Sequence, residues 1–116
     1  HQVLYDRISL YPWLLRGDAK VSRLKDFTSR EGEIFCSGDY ESATDNLNSG
    51  LQMIILGELL NSSRSVPQGI KSHVSSIFQS LLEGRDFSGC QARGQLMGQL
   101  TSFPLLCITN YIAFKF

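Results

Sequence analysis

Two apolar stripes at helical spacing, one on each side of a polar loop, constrain this chain more than any other feature. Leu47, Leu51, Ile54, Ile55 and Leu59 follow one another at intervals of four, three, one and four, the period of a single helix face. They predict a helix over about residues 42–60, which Gly50 and Gly57 weaken without forbidding. Residues 61–67, Asn-Ser-Ser-Arg-Ser-Val-Pro, read as a loop. A second helix, about 69–82, would carry Ile70, Val74, Ile77, Phe78, Leu81 and Leu82 on one face. Both stripes are expected to face a core. His73 lies beside the second stripe with no ligand partner near it in sequence, so it reads as an exposed or satisfied histidine.

Shorter elements flank the helices. Ile34-Phe35-Cys36-Ser37 is a strand-prone run, and Gly38-Asp39 follows it directly. A strand that ends on an aspartate holds a carboxylate rigidly at its tip. Residues 84–100 contain Gly84, Gly89, Gly94 and Gly98, which predicts a strand or hairpin near Phe87–Cys90 and then a flexible loop. Ser102-Phe103-Pro104 opens a last helix, with Ser102 as its expected N-cap and Pro104 in the first turn. Leu105, Leu106, Ile108, Ile112, Ala113 and Phe116 are expected to be largely buried. Arg16-Gly17-Asp18 reads as a turn. The order of strand, two helices, hairpin, glycine loop and helix predicts an α+β fold without internal repeats.

Composition limits the function classes. The 116 residues carry 11 basic and 11 acidic side chains, a net charge of zero. A free-standing nucleic-acid-binding module usually has a basic excess, so any such role would belong to a larger enzyme whose positive groove is built elsewhere. Cys36, Cys90 and Cys107 are odd in number and include no Cys-x-x-Cys pair. Buried free thiols in a reducing compartment are therefore expected, not a disulfide framework or a zinc site. No apolar run reaches the length of a membrane span. With no initiator Met and an apolar run at residues 105–116, the chain is expected to be a fragment.

Two constellations carry chemistry. In Ser37-Gly38-Asp39-Tyr40-Glu41-Ser42-Ala43-Thr44-Asp45-Asn46-Leu47, two aspartates lie six apart around the strand-to-helix junction. Carboxylates on a rigid edge suit hard Mg²⁺, which prefers oxygen ligands. Alone, the pair equally describes an exposed aspartate and a helix-capping one. The second constellation runs from Arg93-Gly94-Gln95-Leu96-Met97-Gly98 through Ser102-Phe103-Pro104 to Asn110. Its glycines let backbone approach a ligand closely, and the helix that follows offers free N–H groups. It contains neither a Walker loop nor a dinucleotide-binding fingerprint.

In this order the two resemble motifs A and B of viral RNA-dependent RNA polymerases, in the variant of botourmiaviruses (ourmia-like viruses) and their narnavirus relatives. The resemblance covers about residues 10–116. It places motif A at about 34–47, connecting helices at 48–83 and motif B at about 91–110. It implies part of the RRM-like palm of a right-hand polymerase, replicating RNA in the host cytoplasm or, as an alternative, the mitochondrion. Asp39 would bind the catalytic Mg²⁺ (or Mn²⁺) ions, with the Tyr40 backbone carbonyl as a further ligand. Asp45 would recognise the ribose 2′-hydroxyl of the incoming nucleotide, with Ser102 as its hydrogen-bonding partner. Gly94, Met97 and Gly98 would form a mobile loop against template and nascent RNA, and Asn110 matches the family pattern further along the helix.

The implied partners are RNA template, nascent RNA, nucleoside triphosphates and the rest of the polymerase. Motif C, with its Gly-Asp-Asp, is expected downstream of residue 116, and the basic motif F upstream. With one metal carboxylate, residues 1–116 alone are expected to be inactive. Two alternatives share these residues: a host-integrated viral remnant without activity, and a small α+β interaction module that matches the motifs by chance.

Overall fold

A computed structural model describes residues 1–25 and 27–116, the side chain of Gln79 excepted. The chain divides into two compact units, His1–Glu41 and Ser42–Phe116. The architecture is α+β, with four α-helices and one antiparallel hairpin among the described residues.

The first unit is mostly irregular. Helix α1, Gln2–Ile8, buries Ile8. Arg16 pairs with Asp6 and lies 4.7 Å from the centroid of the Tyr5 ring, so one guanidinium holds both an anion and a π face. Gly17 takes a positive φ of 81°, consistent with the expected turn. Phe27 and Phe35 meet with ring centroids 4.9 Å apart. The strand expected over residues 34–37 is absent: these residues join no ladder, and Ile34 is 90% exposed. Strand propensity is realised only where a neighbouring strand accepts the hydrogen bonds.

The second unit holds the core. Helix α2 spans Ser49–Ser62 and helix α3 Gln68–Ser75, with a 3₁₀ turn over Ser76–Gln79. Strands β1, Leu81–Gly84, and β2, Phe87–Cys90, pair with Leu82 opposite Gly89. Helix α4 spans Ser102–Lys115. Ile55, Leu56, Phe78 and Leu105 form the buried centre, with Leu59, Leu60, Val74 and Ile108 packed around it. Each of the four buried side chains contributes about 1.5–3 kcal/mol on burial, and the partly buried ones less.

Several boundaries differ from the sequence expectation. Helix α2 starts at 49 because Asn48 caps it, its Oδ1 accepting the Leu51 N–H at 3.0 Å. Its inward face carries Gln52, Ile55 and Leu56, while Leu51 and Ile54 are exposed and Leu47 precedes the helix. The second helix ends early, so Leu81 and Leu82 belong to β1. Strand β2 takes the Phe87–Cys90 residues where a strand or hairpin is expected, while β1 begins in the stretch expected to close the second helix. Thr101, not Ser102, is the N-cap of α4. Leu105 is fully buried, whereas Ile112, Ala113 and Phe116 are exposed, because only the first half of α4 faces the core. Among the described residues no helix is long and apolar enough to cross a membrane.

Candidate functional site

The second unit brings the two chemistry-bearing segments together. Residues 42–46 form a turn: the amides of Asp45 and Asn46 both donate to the Ser42 carbonyl, at 3.0 and 3.2 Å. Ser42 stands in the left-handed region with φ 48°. In a continuous helix the Thr44 carbonyl would accept from residue 48 and the Leu47 carbonyl from residue 51. Here both turn outward. The Thr44 carbonyl accepts the Gln95 N–H at 2.8 Å, and the Leu47 carbonyl accepts the Gly94 N–H at 2.9 Å. Asp45 therefore lies in a turn pinned to the glycine loop, and not in the first turns of a helix as its spacing suggested.

Gly94 makes that approach possible. A Cβ at this position would stand 2.7 Å from the Asp45 carbonyl oxygen and 2.9 Å from its Cα. Its φ of 76° also lies where side chains are strained. The Gly94 carbonyl is held in turn by Gln91 Nε2, which donates at 2.7 Å. The Asp45 side chain stays exposed.

Beyond this seam the loop turns sharply. The Gln99 N–H donates to the Leu96 carbonyl at 3.1 Å, with Met97 and Gly98 between them and φ 95° at Gly98. That is a turn with glycine at the position requiring positive φ. Met97 projects at its tip, 85% exposed.

Ser102 sits differently from its expected place. It is buried, and its hydroxyl donates to Gln95 Oε1 at 2.8 Å. Asn110 is half-buried on α4, about 12 Å further along the helix axis at 1.5 Å per residue.

Sequence reasoning missed a buried polar chain behind the loop. Gln52 Nε2 donates to Thr109 Oγ1 at 2.7 Å, and Gln95 Nε2 donates to Gln52 Oε1. The Thr109 hydroxyl donates to the Leu105 carbonyl at 2.8 Å. The available signal was Gln52 itself, a polar residue three and four positions before Ile55 and Leu56 on the inward face.

Asp39 and Tyr40 belong to the first unit. Asp39 is exposed, and its Oδ1 accepts the Tyr40 N–H at 2.9 Å. Its carboxylate has the hard oxygen chemistry that Mg²⁺ takes. Among the described residues, however, no three His, Cys, Asp or Glu side chains gather to hold a metal ion.

Comparison with known proteins supports the resemblance to a viral polymerase. The chain is 36% identical over 89 residues to the RNA-dependent RNA polymerase of Ourmia melon virus (isolate Melon/Iran/VE9), a match covering 66% of this chain and 10% of that protein. The chain thus resembles a viral RNA-dependent RNA polymerase and spans about a tenth of that relative's length. No family model matches it, and no solved structure does.

Proposed function

We propose that this chain is part of the palm of a viral RNA-directed RNA polymerase, where Asp39 serves the catalytic metals and Asp45 reads the ribose of the incoming nucleotide. The seam between Thr44–Leu47 and Gly94–Gln95 carries the reading. The two segments that resemble motifs A and B lie far apart in sequence, yet they meet backbone to backbone through a gap only glycine leaves. Motifs matched by chance would have no reason to share a seam.

Each residue then has a role. Asp39 and the Tyr40 carbonyl would hold Mg²⁺ or Mn²⁺ jointly with carboxylates from the rest of the polymerase. Such ions, when bound, neutralise the charge that develops in nucleotidyl transfer. Asp45, exposed on an anchored turn, presents an acceptor for a 2′-hydroxyl, the group that separates ribonucleotides from deoxyribonucleotides. Met97 at its turn, flanked by Gly94 and Gly98, faces template and nascent RNA. Residues 1–116 alone supply one metal carboxylate and are expected not to catalyse.

The test is ribose selection by the complete polymerase. Asp45→Asn should keep elongation and lose preference for ribonucleoside over deoxyribonucleoside triphosphates. Unchanged preference would contradict the assignment of Asp45.

A further inference from the structure

We infer that Gln52 is a positioning residue for Asp45, acting through Gln95. The inference rests on the polymerase reading above and adds to it a residue outside both motifs. Gln52 is 0% exposed and Gln95 is 2% exposed. A primary amide buried without partners is costly, and here each amide uses both of its ends. Gln52 donates to Thr109 and accepts from Gln95, while Gln95 accepts from Ser102. Thr109 passes the chain on to the Leu105 carbonyl. The chain of bonds thus ties α2, the glycine loop and α4 together.

Gln95 is held at both extremities. Its side chain is fixed by Gln52 and Ser102, and its N–H is fixed by the Thr44 carbonyl. The loop cannot shift without breaking one set of bonds or the other. Asp45 follows Thr44 directly, so its backbone position is inherited from that of Gln95. The two glutamines depend on each other: a leucine at 52 would pack beside Ile55 and Leu56 but would leave the buried Gln95 Nε2 without its acceptor. What the amide adds is direction, because a fully satisfied polar network admits one arrangement where apolar packing admits several.

The inference is tested in the complete polymerase by kcat/KM for ribonucleoside and deoxyribonucleoside triphosphates. Gln52→Leu is expected to lower the ratio of the two about tenfold, the effect of losing one positioning hydrogen bond, and to lower Tm as well, because the buried Gln95 amide loses its acceptor. Thr109→Val removes the far anchor and should move the ratio in the same direction. Thr109→Ser keeps the hydroxyl and should restore it, which a purely packing role would not produce. Should Gln52→Leu fail to fold, the Thr109 pair decides. Wild-type selection in Gln52→Leu, or in Thr109→Val, overturns the inference. If Asp45→Asn measured alongside loses selection in that case, the polymerase reading stands and only the role of Gln52 falls.

Discussion

Gly94→Ala should be far more damaging than an alanine at a surface loop glycine ordinarily is. The new methyl would sit 2.7 Å from the Asp45 carbonyl oxygen and 2.9 Å from the Thr44 carbonyl oxygen. Both are backbone atoms and cannot swing aside as a side-chain end would. Relief requires the loop to withdraw from the turn, which breaks the Gly94–Leu47 and Gln95–Thr44 hydrogen bonds. Two such bonds are worth about 1 kcal/mol each, and the left-handed φ adds about 1–2 kcal/mol for a residue with a Cβ. The sum is about 3–4 kcal/mol, a factor of about a hundred to a thousand in a local opening equilibrium. Native-state amide hydrogen exchange reads this directly at residues 94 and 95. Gly98→Ala is the matched control: its φ of 95° is equally left-handed, but nothing lies within 4 Å of the new Cβ. It should cost only the conformational term. Equal loss of protection in the two variants would refute the claim that Gly94 is reserved for the approach of the Asp45 backbone.

Two further outcomes follow from the same packing. Asn48→Ala removes the side-chain cap of α2 and should lower stability by about 1 kcal/mol, read as a lower urea midpoint; no change would mean that helix start is fixed by the seam alone. Burial raises the Cys107 thiol above its ordinary value of 9.0, so it should alkylate more slowly than Cys36 and Cys90, which are exposed and not buried as expected. The unfolded thiol ionises first as pH climbs, so this contribution to stability is intact below 9.0 and lost above it; a urea midpoint that rises in that range would contradict the assignment.

The sequence made the type of most elements legible but not the inward face of every one. The second strand of the hairpin was marked by glycines, and α4 by Ser102-Phe103-Pro104, whereas the first strand overlaps residues that the apolar period assigned to a helix. The face of α2 was not legible, because Leu51, Met53, Ile54, Ile55, Leu56, Leu59 and Leu60 surround most of its circumference. Packing chose the side that includes a glutamine, since Thr109 and Gln95 satisfy its amide. The start of α2 was placed early for a related reason. The apolar period runs back to Leu47, but the carbonyls of Thr44 and Leu47 find a partner in a loop that local pattern does not reveal. At the candidate site, Gly94 and Asp45 could be named from the motifs. That they touch, and that Ser102 is spent on Gln95, could be known only from the folded chain.

The most direct measurement of the central claim is primer extension by the complete polymerase carrying Asp39→Ala, beside the wild type at equal concentration. The account predicts that elongation falls to background while the protein keeps its fold. Elongation at the wild-type rate would contradict it, and the assignment of residues 34–47 to a catalytic motif would fall with it.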